Sequence, residues 1–171
     1  QLATQGNVTV IKLDDGQLSY KGNGMHGAGS GQALYNTIST PAGGVYQLVL
    51  SDGTQVWLNA LSSLKFPAVF TGKERRVELK GEAYFEVMSN ASRPFFVNAG
   101  EMDIKVLGTH FNVKAYRDDP IFQTTLLEGK VEVSSEKERV DITPGQQARM
   151  NVKVKNIKKV KEVNINDVMA W

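Results

Sequence analysis

Glu82 and Glu86 are the carboxylates whose setting first suggests chemistry, because they flank Tyr84 in the run VELKGEAYFEV, Val77 to Val87. In an extended strand, alternate side chains share a face. Glu82, Tyr84 and Glu86 then lie on one side, with Ala83, Phe85 and Val87 on the other. Two carboxylates beside a phenol would suit glycoside hydrolysis or a hard metal ion. The spacing opposes the first, since four residues of strand span about 13 Å, whereas a catalytic carboxylate pair stands about 5 to 9.5 Å apart. A metal site needs three or more converging ligands, and the two histidines are scattered, His26 in a glycine-rich stretch and His110 within a strand-like run. The absence of cysteine excludes a thiol nucleophile, a zinc–thiolate site and a disulfide framework. There is no Gly-x-Ser-x-Gly elbow. Gly22, Gly24 and Gly27 match the spacing of a dinucleotide fingerprint, but the next segment is ALYNTIST followed by Pro41. No helix is available there to receive a pyrophosphate, so the stretch reads as a flexible loop. No catalytic residue, metal ligand or cofactor site is assigned. What remains is a candidate recognition surface of Trp57, Asn59, Glu82, Tyr84 and Glu86. Trp57 shares a face with Asn59 in QVWLN and reads either as a core tryptophan or as an aromatic platform beside polar groups.

These residues sit in a unit that recurs. VELKGEAYFEV has weaker copies at IKVLGTHFNV (Ile104 to Val113) and TLLEGKVEV (Thr125 to Val133), and an earlier relative in LVLSDGTQVWLN (Leu48 to Asn59). Each has apolar residues, a glycine, then an alternating run. A unit used several times in one chain points to scaffold rather than catalysis. Strand-like runs are punctuated by turn residues every eight to twelve positions or so, and no stretch of ten or more residues holds helical periodicity. The expected fold is all-β, an antiparallel sandwich or roll with helix-like β repeats of short strands and no substantial helix.

Three regions are expected. Residues 1–34 form a hairpin, VTVIKL and QLSY around Asp14-Asp15-Gly16, and the glycine-rich loop. Residues 35–150 form the main β domain, in which Pro67 keeps Leu61 to Phe70 out of a central strand. Residues 151–171 begin with NVKVKNIKKVKEV, where alternating valine and lysine suit a half-exposed edge strand or linker. They end in NINDVMAW, with Asp167 capping a helix.

The 171 residues suit one domain, or one with part of a second, large enough to fold around its own core. A net charge of +2 argues against a dedicated nucleic-acid binder. No apolar run approaches the roughly 18 residues of a membrane span. The chain opens at Gln1 and reads as a segment of something longer.

Several stretches together carry a resemblance. YNTISTPAGGVYQLVLSDGTQVWLNALSSLKFP (Tyr35 to Pro67), RRVELKGEAYFEV (Arg75 to Val87) and RPFFVNAG (Arg93 to Gly100) come first. VLGTHFNVKAY (Val106 to Tyr116), TTLLEGKVEV (Thr124 to Val133) and ITPGQQA (Ile142 to Ala148) follow. In this order and spacing the chain resembles the FecR family of anti-sigma factors, in the form common in Bacteroidetes. The resemblance implies the periplasmic sensor region of a single-pass inner-membrane protein. Its implied partners are the signalling domain of a TonB-dependent outer-membrane transporter and an extracytoplasmic-function sigma factor. The sigma-binding helices and membrane span would precede residue 1. The terminal Ala170-Trp171 is similar to the point where the family passes into a receptor-signalling-like module. The family carries no catalytic residues. The alternative from another class is a glycan-binding β-sandwich using Trp57, Tyr46 or Tyr84.

Overall fold

The computed structural model describes residues 34–171 in full and, among the first 33, the backbone of three strands. The Asp14-Asp15-Gly16 turn, His26 and the glycine-rich loop lie outside the described residues. Strands β1 (Ala3–Gln5), β2 (Val8–Lys12) and β3 (Leu18–Gly22) are followed by β4 (Tyr35–Ser39), β5 (Tyr46–Val49), β6 (Gln55–Leu58) and β7 (Ser63–Pro67). The long β8 (Arg75–Glu86) leads to β9 (Phe95–Ala99), β10 (Met102–Val106), β11 (His110–Ala115) and β12 (Ile121–Glu128). The chain ends with β13 (Val131–Ser134), β14 (Arg139–Ile142), β15 (Gln147–Asn151), β16 (Ile157–Val160) and a single turn of helix, α1 (Ile165–Val168). The expected all-β class holds.

The strands form two layers that share β8. One layer runs β1-β2-β3-β5-β6-β8-β11-β12-β15-β16, and the other runs β4-β7-β8-β9-β10-β13-β14. Pairing is antiparallel except between β3 and β5 and between β8 and β9. The first six residues of β8 pair with β7 and β9 in the second layer, and its last six pair with β6 and β11 in the first. A strand that changes sheets makes the corner of a sandwich. The pivot is Gly81, at φ +98°, where an added Cβ would stand 2.3 Å from Ser62 Oγ. β8 nevertheless runs through this pivot as one continuous strand.

The recurrent glycine unit has a structural meaning that its sequence did not disclose. β10 belongs to the second layer and β11 to the first, with Gly108 between them; β12 and β13 pass back across at Gly129. At Gly108 an added Cβ would meet the Ser89 backbone at 2.6 Å. Three copies of the unit thus carry the chain from one sheet to the other through close-packed corners. The fourth, Leu48 to Asn59, is an ordinary hairpin of β5 and β6 within the first layer.

The core lies between the layers. Ala83, Phe85 and Val87 point into it with Val56, Leu58, Phe111 and Val113 from the first layer and Phe95, Val97 and Ile104 from the second. Phe85 stacks on Phe111 at 5.1 Å and meets Phe95 edge-on at 6.4 Å. Arg75 is buried at the end of this core, over the ring of Phe95. Its guanidinium donates to Asp52 Oδ2 and to the carbonyls of Met88, Arg93 and Leu107.

Three local expectations are corrected. β7 is flanked on both sides, by β4 and β8, so Pro67 does not exclude its segment from the sheet interior. Pro67 is the last residue of β7 and faces Tyr35, while pairing with β8 has already ended at Lys65, so its missing N–H interrupts no ladder there. Val152 to Lys155 form the turn between β15 and β16 rather than a strand, and the edge strand is the following Ile157–Val160. In that turn Asn151 Oδ1 accepts from the amides of Lys153 and Val154. The N-cap of α1 is Asn164, whose Oδ1 accepts from the amide of Asn166; Asp167 sits inside the first turn.

Candidate recognition surface

The outer face of the first layer is built by register. Trp57 on β6 stands opposite Tyr84 on β8, which stands opposite Asn112 on β11; the row continues through Thr125 on β12 to Gln147 on β15. A neighbouring row runs from Glu82 through Lys114 and Gln123 to Arg149. Alternation puts the core residues on the opposite face of the same strands, so both rows follow from the packing of Phe85, Phe111 and Val113.

All five sequence-predicted surface residues fall on this face, but they are not equally exposed. Trp57 and Tyr84 form an aromatic pair, centroids 5.3 Å apart and tilted by 41°. Both are half-buried. Trp57 is therefore not a core residue of the sandwich. It is covered from outside by Val45, Met169 and Trp171, which with Tyr84 surround a small cavity of about 250 Å³.

Glu82 departs from the expected exposed strand face. It is only 6% exposed, and each carboxylate oxygen accepts from a side-chain amide, Oε2 from Asn59 Nδ2 at 3.1 Å and Oε1 from Asn112 Nδ2 at 2.9 Å. Its own backbone N–H donates to Ser62 Oγ. Glu86 is half-buried and accepts from the Tyr84 hydroxyl at 3.1 Å. The two carboxylates thus have separate partners, and neither is placed with the other for acid–base work. Burial first, then the negative charge and hydrogen bond of Glu86, push the Tyr84 phenol well above its ordinary value of 10.0. Burial likewise raises Tyr116, whose hydroxyl donates to the Ala60 carbonyl.

Reasoning from residue types overlooked the other half of this surface. Asn112 (2% exposed), Thr125 and Gln147 are buried polar residues that lie within the quoted stretches but were not chosen as surface residues. Gln147 Nε2 donates to Thr125 Oγ1 at 2.7 Å, and Gln147 Oε1 accepts from Arg149 Nε at 2.5 Å. Their alternation with Phe111, Val113, Ala148 and Met150 was readable. Alternation alone does not reveal that residues 162–171 fold back over the polar side and bury it. Between that segment and the two rows lies a cleft of about 610 Å³. His110, at the other end of the face, has Nδ1 3.2 Å from a Glu128 carboxylate oxygen. Among the described residues no group of three or more His, Asp or Glu side chains is arranged to hold a metal ion.

The family profile described as FecR protein matches residues 36–132, more than half of the chain. The chain belongs to the FecR family. Two crystal structures of a candidate anti-sigma factor from Parabacteroides distasonis ATCC 8503 are similar to it, each 39% identical in sequence, with TM-scores of 0.77 and 0.76. They cover 81% and 80% of this chain, and the chain spans 64% of the length of each. No curated protein matches it. The FecR match runs from β4 into β13 and so takes in all three corner crossings, at Gly81, Gly108 and Gly129. GEAYFEV and LGTHFNV, which lie within the stretches that carry the resemblance, stand at the first two of those crossings in this FecR chain. Their glycines let the backbone turn between sheets, and their alternating residues divide between the core and the polar outer face.

Proposed function

We propose that this FecR domain is the periplasmic sensor and transmitter region of an inner-membrane anti-sigma factor. In this reading it receives a signal from the signalling domain of a TonB-dependent outer-membrane transporter and controls an extracytoplasmic-function sigma factor held by a cytoplasmic region of the same protein. The role is regulatory and non-catalytic. The observation that carries the proposal is the family match together with a shared fold at 39% identity over about four fifths of the chain. The site geometry agrees with it. The carboxylates and aromatic rings of the outer face are tied to one another by cross-strand pairs, which suits a surface that presents and transmits.

The test uses the full-length parent. It should co-purify with the sigma factor encoded beside it and should bind the signalling domain of the neighbouring transporter with a dissociation constant of about 1 μM or tighter. Deleting residues 35–150 should uncouple transporter engagement from sigma-dependent transcription in a reporter strain. A parent that binds no sigma factor, or a deletion that leaves signalling intact, would dismiss the proposal.

A further inference from the structure

Residues 162–171 cover the polar outer face of the first layer, yet little fastens them to it. No residue from Lys158 to Trp171 is buried. Among the described residues a single hydrogen bond, from the Val163 amide to the Gly145 carbonyl at 3.1 Å, joins the segment to the rest of the fold. The turn of helix α1 buries none of its residues. Two spaces remain beneath the cover, the cleft of about 610 Å³ and the cavity of about 250 Å³. Closure also shuts the Trp171 indole N–H away without an acceptor, which opposes it. A segment with one tie, little apolar burial and voids beneath it opens locally at small cost. We propose that residues 162–171 are a displaceable strap, holding the seat that an acidic, aromatic segment of a partner protein takes when the strap lifts.

The strap itself defines what the seat accepts. Glu162 and Asp167 line the cleft with Lys114 and Arg149 of the sheet, and no two of these four close to an ion pair. The attraction is present without the contact. Glu82 does not cancel it through free lone pairs, because both of its oxygens already accept from side-chain amides. Arg149 is exposed, and Gln147, bonded in turn to Thr125, holds it in place.

The other half of the seat is apolar. Met169 and Trp171 stand over Trp57, Tyr84 and Val45, and Val45 is 52% exposed even with the strap in place. A partner segment with two carboxylates and an aromatic anchor matches both halves. Its charges face Lys114 and Arg149, and its ring packs on the Trp57–Tyr84 pair. A basic segment would meet two positive charges, and a purely apolar one would leave them without a counter-charge.

The probe is a fluorescein-labelled synthetic peptide of the strap sequence, EVNINDVMAW, titrated into the 171-residue chain and followed by fluorescence anisotropy. Val163→Pro removes the amide that ties the strap down and leaves the seat untouched. This variant should bind the peptide with a dissociation constant of about 100 μM or tighter. The unaltered chain should bind it ~10-fold more weakly, because its own strap competes. A peptide carrying Glu162→Lys and Asp167→Lys should lose affinity severalfold. In the unaltered chain, hydrogen exchange should find the Val163 amide at least ~100-fold less protected than the Val113 amide of β11.

Any of five results would overturn the proposal. They are no binding by either chain at ~1 mM peptide, ten times the expected constant; equal affinity of the two chains; equal affinity for the charge-reversed peptide; a Val163 amide as protected as that of Val113; or a strap-exchanged dimer in sedimentation, which would give the seat to a second copy. If Val163→Pro does not accumulate, exchange and titration of the unaltered chain decide. None of these measurements involves a sigma factor, so the regulatory reading stands or falls separately.

Discussion

Tyr84 shows how one residue links the core strand to the outer face. Its ring lies against Trp57 while its hydroxyl donates to Glu86. Burial and the neighbouring carboxylate both resist formation of a phenolate, so the folded protein holds the proton to higher pH than the unfolded chain does. The sign follows from proton counting. Above pH 10 the unfolded chain has released the proton and the native state has not, so the unfolded state binds fewer protons and stability falls as pH rises. Urea denaturation of the parent and of Tyr84→Phe from pH 8 to 11 should show the parent losing stability above about pH 10 with a steeper slope than the variant. Parallel pH profiles for the two proteins would assign the alkaline loss to other groups. Glu82 teaches the complementary lesson. Its strand position was legible, but its two amide partners come from β11 and from just beyond β6, at separations no local pattern reports.

At the scale of the element, β8 is decided by Gly81. The glycine at the centre of VELKGEAYFEV was readable as a break in an otherwise apolar and alternating run. Its function as the point where one strand leaves one sheet and enters the other depends on Ser62, which closes against it from the turn before β7. Gly81→Ala must place a methyl group inside that contact and adopt a left-handed φ as well. We expect it to destabilise the fold by about 1 to 3 kcal/mol, measured as a lowered denaturation midpoint at unchanged slope. A loss below about 0.5 kcal/mol, the level of an ordinary surface change, would mean that the corner relaxes freely. The Val152–Lys155 turn illustrates the opposite case. Alternating valine and lysine satisfies the pattern of a half-exposed strand, yet hydrogen bonds from the local backbone to the Asn151 side chain favour a turn.

At the scale of the molecule, Arg75 ties the two layers together. The turn after β5, the segment beyond β8, the approach to β9 and the connection after β10 each deliver an acceptor to one guanidinium. Arg75 is 1% exposed, and its ion pair with Asp52 is 2.8 Å long. Removing one partner of a buried pair leaves the other uncompensated, so Arg75→Met should cost about 3 to 5 kcal/mol in chemical denaturation. The three carbonyls that lose their donor add to the same direction. A cost below about 1 kcal/mol would show that these loops hold their positions without it.

The sequence by itself determined the all-β class, the alternation that sends Phe85 inward and Tyr84 outward, and the family. These rest on short-range periodicity, turn chemistry and ordered motifs, all of which are written along the chain. Only the tertiary structure decided that three glycine units are crossings between sheets, that Glu82 is buried, and that Asn112 and Gln147 belong to the same surface as Trp57. It also decided that residues 162–171 return to cover that surface. The physical reason is the same in each case. Burial and hydrogen-bond partnership on the outer face are set by strand register and by a segment distant in sequence, whereas alternation specifies only which two faces a strand has.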